Sequence, residues 1–222
     1  MEHAMHPFYE DFVSYLNQEN KEKCVEFVLS KLSKGEIDVV TLYTQVLTPS
    51  LNEMFCKDKQ REVCIWEEHV RTSIVRTVME CCYPYLIEER NKRLKQSTKG
   101  KVIVVCPTEE YHEIGARMVA DIFTLSGFDV VFVGANTPQD DILEAISYVM
   151  PLYVVISVTN YYNLVAAKRT ITKILDTRNS SGHDFKIIVG GHAFNRNADI
   201  YKEMGADLHL HTFEDILALA EE

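Results

Sequence analysis

Glu110-Tyr111-His112-Glu113-Ile114-Gly115 is the stretch of this chain best suited to chemistry. An imidazole can hold a transition metal through one ring nitrogen while a carboxylate fixes its tautomer through the other. Glu110 stands two residues ahead of His112, close enough for that orienting role. The stretch follows an apolar run, Lys101 to Cys106, and leads into an apolar helical pattern, Ala116 to Leu125. A histidine so placed stands at the carboxyl end of the first strand of an α/β unit, where open parallel sheets bind ligands. On spacing alone two roles stay open: a metal ligand, or a surface or capping residue of a strand-to-helix loop.

The ends of the other apolar runs add to the pattern. After the second come Gly134-Ala135-Asn136-Thr137-Pro138, after the third Ser157-Val158-Thr159-Asn160-Tyr161-Tyr162, and after the fourth Gly190-Gly191-His192. In a doubly wound sheet these ends share one rim. Small and hydroxyl-bearing residues leave room there for a long ligand, and Gly190-Gly191 lets backbone come close to it; turn chemistry alone would also account for the glycines. There is no Gly-x-Gly-x-x-Gly after the first strand, no phosphate-binding loop ending in Gly-Lys-Ser/Thr, and no Gly-x-Ser-x-Gly. His209 and His211 alternate on one short run without a Cys or His partner at zinc spacing, so they read as a sheet-edge pair.

The elements that must position these residues fall into two halves. Residues 1–96 show helical periodicity throughout. Phe8, Phe12 and Leu16 form one stripe; Cys24, Phe27, Val28 and Leu32 form a second, stopped by Lys34-Gly35. A third helix runs from Val39 to Met54 with Pro49 as a kink, and a long fourth runs from Ile65 to about Leu94. Short links between helices with one apolar face predict an antiparallel four-helix bundle. Gln96-Ser97-Thr98-Lys99-Gly100 reads as a linker. Residues 101–222 then alternate strand and helix. Strands are expected at Lys101–Cys106, Asp129–Gly134, Leu152–Ser157, Phe185–Gly190 and Asp207–Leu210. Helices are expected at Ile114–Leu125, Asp140–Val149, Leu164–Leu175, Asp199–Met204 and Phe213–Ala220. The fold class is therefore α/β: a helical bundle followed by a Rossmann-like, flavodoxin-like five-stranded parallel sheet with helices on both faces.

Composition bounds the function. The chain has 222 residues, 46% of them hydrophobic and 25% charged, the balance of an ordinary soluble protein. A formal net charge of -10 argues against gripping a phosphate backbone. No apolar run approaches the roughly 20 residues a membrane span needs, and Met1 to His6 lacks the build of a signal peptide. The six cysteines include no Cys-x-x-Cys, and buried, reduced thiols in a cytoplasmic protein are expected.

Taken in order, Glu110-Tyr111-His112-Glu113-Ile114-Gly115, Ser157-Val158-Thr159 and Gly190-Gly191 resemble the pattern of the cobalamin-binding module: Asp-x-His-x-x-Gly, Ser-x-Leu and Gly-Gly on a Rossmann-like domain behind a four-helix bundle. The resemblance covers nearly the whole chain and implies a cobalamin cofactor in adenosyl, methyl or hydroxo form. It makes His112 the lower axial cobalt ligand, in place of the cofactor's own base, and Glu110 the residue that orients it. It also gives Gly115 the space for the nucleotide tail, Ser157 and Thr159 the hydrogen bonds to the displaced base or tail, Gly190 and Gly191 the lining of the tail channel, and the bundle the upper face of the corrin.

Two departures from the pattern matter. Glu110 replaces the usual Asp, which is similar to the light-responsive transcriptional regulators of the MerR type; their bundle carries a Glu-His pair, matched here by Glu68-His69 beside Trp66. Those regulators also place a Trp and then a cobalt-binding His ahead of that pair, and here Asp58 and Lys59 stand there. The resemblance implies a stand-alone, non-enzymatic sensor or regulatory module, with light response open to it, acting through a regulatory protein and binding neither nucleic acid nor membrane. The alternative is a corrinoid shuttle carrying a methyl group for partner methyltransferases. A module that has lost cobalamin, and self-association, also stay open.

Overall fold

The N-terminal helices form where apolar residues recur at helical spacing, and polar side chains cap two of the entries. In the computed structural model, which describes residues 6–52, 64–93, 98–195, 197 and 199–221, α1 (Tyr9–Asn17) buries Tyr9, Phe12 and Leu16. Helix α2 (Lys21–Ser33) buries Cys24, Val28 and Leu32, and Asn20 caps it by accepting from the Lys23 N–H at 3.0 Å. Asp38 caps the next run through the Thr41 N–H at 2.7 Å. That run is α3 (Val39–Leu42), a π-helical turn over Tyr43–Leu47, and α4 (Thr48–Asn52). The π turn takes the place of the kink expected at Pro49. Proline cannot donate and its ring crowds the carbonyl of residue i−4; the widened turn just before it, with the Thr48 N–H on the Tyr43 carbonyl, relieves that crowding. Helix α5 (Ile65–Arg93) buries Ile74, Val75, Val78, Met79, Cys82 and Leu86.

The chain divides into two units, Met1–Asn91 and Lys92–Glu222. In the second, strands β1 (Lys101–Pro107), β2 (Asp129–Thr137), β3 (Tyr153–Ser157), β4 (Lys186–Gly190) and β5 (Leu208–Leu210) pair in parallel in the order β2-β1-β3-β4-β5. This is the flavodoxin-like order, with its switch point between β1 and β3. Helices α6 (Ile114–Leu125), α7 (Gln139–Val149), α8 (Leu164–Ser181), α9 (Ile200–Met204) and α10 (Phe213–Leu219) connect and close the sheet.

Alternation along β1 sorts its two faces. Ile103 and Val105 join Ile142, Ile146, Val154, Ile156, Ala167 and Ile171 in one core, while on the other face Phe123, Phe128 and Tyr153 pack edge to face or tilted, with centroids 5.5 to 6.3 Å apart. Residues 102–106 are wholly buried, as a central parallel strand covered on both faces requires. Each such side chain contributes about 1.5–3 kcal/mol by leaving water.

One sequence expectation needs correction. Cys64 is disulfide-bonded, so the cysteines are not all reduced, although Cys24, Cys81, Cys82 and Cys106 are thiols. Among the described residues, no helix is long and apolar enough to cross a membrane.

Candidate functional site

The carboxyl ends of β1 and β3 diverge at the switch point, and one carboxylate ties them together. Glu110 is completely buried, and five hydrogen bonds converge on it. Its Oε1 accepts from His112 Nδ1 at 2.6 Å and from the His112 N–H at 3.0 Å. Its Oε2 accepts from the N–H groups of Thr159 at 2.9 Å and Asn160 at 3.0 Å, and from Asn163 Nδ2 at 3.2 Å. Burial, the largest influence on this carboxyl, pushes its pKa up. The hydrogen bonds from His112, the Asn160 and His112 N–H groups and Asn163 outweigh it and hold the group at about 2, below its usual 4.5. Glu110 is therefore an anion at neutral pH. A carboxylate accepts only, so the proton of this short bond sits on Nδ1, and in the neutral imidazole the lone pair is at Nε2.

The surrounding loops hold that arrangement. Asn163 is 9% exposed and also donates to the Glu109 carbonyl at 3.0 Å. Glu109 has φ 72, a left-handed conformation uncommon for glutamate, and its N–H is held by Asn136 Oδ1 at 2.9 Å. The Asn136 N–H in turn donates to the Glu110 carbonyl at 2.8 Å. Glu113 Oε2 accepts from the Ala135 N–H at 3.0 Å. Three strand ends, of β1, β2 and β3, are thus laced around residues 108–113. Cys106 donates weakly to the His112 carbonyl at 3.8 Å. Burial, with Glu110 and Glu113 adding to it, pushes that thiol up to about 12, so it stays protonated and serves neither as nucleophile nor as thiolate ligand.

The residues singled out from sequence fall as follows. His112 is exposed, with 46% of its side chain open to solvent. Gly115 is also exposed, in the first turn of α6, and a Cβ built there meets nothing within 4 Å. Ser157 ends β3, is 7% exposed and pairs in register with Gly190. Thr159 follows in the loop that Glu110 holds.

Gly191 has a steric reason of its own. Val158 N–H donates to the Gly190 carbonyl at 2.9 Å and the Ala193 N–H to the Val158 carbonyl at 3.1 Å. Gly191 has φ 103, and a Cβ there would lie 2.9 Å from the Val158 carbonyl carbon. Glu110, His112, Gly115, Ser157, Thr159, Gly190 and Gly191 all stand at the carboxyl-end rim of this one sheet.

Trp66, Glu68 and His69 belong to the N-terminal unit, in the first turns of α5; Trp66 and His69 are exposed and Glu68 is half-buried. Asp58 and Lys59 lie outside the described residues. His209, on the edge strand β5, packs against Phe194 and Tyr201 and, tilted, against His211 just past the strand end, with 3.9 Å between the two imidazole centroids. Asn163 went unnoticed in the sequence. It sits six residues after Ser157 on the loop that folds back across the switch point, and only that fold shows its partners.

Residues 100–220 match the family described as B12 binding domain. No curated protein matches the chain. Among solved structures, the monomethylamine corrinoid protein of Methanosarcina barkeri superposes with a TM-score of 0.77 at 17% identity, over 96% of this chain and 96% of that one. A cobalamin-binding protein from Desulfitobacterium hafniense DCB-2 matches with a TM-score of 0.48 at 20% identity, over 96% and 97% of the two chains. The methanol:cobalamin methyltransferase complex MtaBC of Methanosarcina barkeri matches with a TM-score of 0.48 at 16% identity, over 95% of this chain and 76% of that one.

Proposed function

The chain belongs to the B12-binding domain family by its match over residues 100–220, and from that premise we propose that it is a corrinoid carrier: it holds cobalamin with His112 on the cobalt and presents it to a partner methyltransferase. Its cofactor is cobalamin. The carrying observation is the buried, five-fold bonded Glu110 carboxylate fixing the Nδ1 side of an exposed imidazole at 2.6 Å.

The residues suit the group. A corrin brings its own equatorial nitrogens, so the protein need supply only an axial one. Among the described residues no three His, Cys, Asp or Glu cluster to enclose a metal by themselves, whereas His112 is placed to give one nitrogen. When bound, cobalamin supplies a cobalt atom that can take up and give away a methyl group. The chain does the rest. Glu110 keeps the Nδ1 proton in place, and its charge raises the basicity of the Nε2 lone pair. Gly115 leaves the opening for the displaced nucleotide tail, Ser157 and Thr159 offer it hydroxyls, and Gly190-Gly191 lines its path. The chain carries the reacting group and does not itself catalyse the transfer.

The fold likeness to the monomethylamine corrinoid protein over 96% of both chains supports the carrier reading over a sensor, which the sequence placed first. A regulatory role draws on two residue-level features only, Glu110 in the position of Asp and the Glu68-His69 pair in α5.

The experiment is reconstitution with hydroxocobalamin, followed by chemical reduction and paramagnetic resonance of the cobalt. With isotope-labelled histidine in the protein, the axial-nitrogen splitting should change from triplet to doublet, and His112→Ala should abolish that change. Repeated reduction and exposure to methyl iodide should return the methylated spectrum without loss of cofactor. If illumination of the adenosylcobalamin complex instead yields a stable product that His69→Ala prevents, the regulatory reading replaces the carrier.

A further inference from the structure

Three tyrosines stand exposed on the two loops that Glu110 joins: Tyr111 at 69%, Tyr161 at 46% and Tyr162 at 86%. Single exposed aromatics are ordinary, but these share one rim. Tyr111 lies between the orienting carboxylate and the imidazole. Tyr161 follows Asn160, whose N–H is held by Glu110 Oε2 at 3.0 Å, and the Tyr162 N–H is held by Asn160 Oδ1 at 3.0 Å. Both backbones are therefore fixed to one buried anion, one on each side of the switch point, and the short 3-10 turn Tyr161–Asn163 is further anchored by Asn163.

With the backbone already held, only the side-chain torsions of such rings remain to be ordered when they engage a ligand. A corrin is a broad apolar macrocycle fringed with primary amides. Tyrosine offers an apolar face and a hydroxyl that both donates and accepts, which suits such an edge.

Resting on the carrier reading, we propose that Tyr111, Tyr161 and Tyr162 form an aromatic collar that grips the edge of the corrin ring. The collar recognises the macrocycle and not the nucleotide tail, whose contacts fall to Gly115, Ser157 and Gly190-Gly191. The full chain should therefore also bind cobinamide, a corrin lacking the nucleotide base, and should use the same tyrosines to do so.

The test is an equilibrium titration of the full chain with hydroxocobalamin and with cobinamide, followed by visible absorbance. The samples are wild type, Tyr111→Ala, Tyr161→Ala and Tyr162→Ala, the three corresponding Phe variants, and His112→Ala. Each Ala variant should weaken both ligands by a similar factor, about tenfold, while the axial-histidine spectrum at saturation is unchanged. The Phe variants should stay within about threefold of wild type, since the ring remains. Ala variants that bind both ligands as wild type does overturn the collar and leave the tyrosines to a protein partner. A loss confined to hydroxocobalamin also overturns it, because the rings would then be reading the tail. If wild type and His112→Ala give the same spectrum, or wild type binds no corrinoid, the carrier reading falls and the collar with it.

Discussion

Replacing Glu110 with Gln tests the site at its centre. The amide keeps the shape of the carboxylate but offers one acceptor where there were two. Three donors face Oε2, from Thr159, Asn160 and Asn163, so the amide oxygen stays there and the NH2 turns toward His112. That NH2 meets the His112 N–H donor to donor and forces Nδ1 to accept, which moves the imidazole proton to Nε2 and removes the lone pair from the metal side.

Two magnitudes follow. A fall in the Glu110 pKa from 4.5 to about 2, at about 1.4 kcal/mol per tenfold change in proton affinity, is about 3 kcal/mol of folding stability. Because the folded value is the depressed one, this contribution is present above about pH 5 and is lost as pH falls toward about 2. In Glu110→Gln it is absent at every pH. Urea denaturation of the apoprotein should therefore show the variant less stable than wild type by about 3 kcal/mol at pH 7, with the gap closing as the pH approaches 2. Cobalamin affinity should fall by about 10–100-fold, the range for losing an orienting carboxylate. A variant that matches wild type in stability across that range, and still binds with histidine on the cobalt, would refute both the tautomer assignment and the role of the buried anion.

Asn163→Ala removes donors to Glu109 and Glu110 and should cost about 2 kcal/mol in chemical denaturation. Asn163→Asp should cost more, by setting a second anion against Glu110, and an Asp variant as stable as wild type would contradict the hydrogen-bond assignment. Gly191→Ala must adopt φ 103 and press a methyl on the Val158 carbonyl, so a loss of about 2–4 kcal/mol is expected, read as a lowered thermal midpoint. Gly115→Ala should leave the apoprotein as stable as wild type or better by about 0.5 kcal/mol, since alanine favours helix and the space is open. It should weaken cobalamin in a spectral titration while sparing cobinamide; equal weakening of both would remove Gly115 from the tail path.

The apolar spacing made most elements legible, and α6 at Ile114–Leu125 is as expected. Where boundaries moved, the cause was not hydrophobic. Helix α8 runs past Leu175 to Ser181 through a polar segment that carries no stripe; Gly182 in a left-handed conformation ends it, and Arg178 reaches the Phe185 carbonyl at 2.9 Å. Strand β2 runs past Gly134 to Thr137, although Gly134 at φ 98 and Asn136 at φ 49 have the look of a turn. At the site, the Glu110–His112 pairing could be read because both partners are local side chains. The rest of the Glu110 shell could not. Two of its donors are backbone N–H groups, which leave no mark in residue type, and they lie 49 and 50 positions away along the chain. Gly191 was legible as a glycine but not in its cause, the close approach of Val158.

The lacing of three strand ends around Glu110 also bears on how fast a ligand can be taken up. Ordering a loop residue costs about 1–2 kcal/mol of conformational entropy. Here that cost falls on folding, because the loop is held by bonds internal to the protein. The rim is therefore ordered ahead of any encounter, and on the proposed carrier reading uptake would need no loop to condense around the ligand.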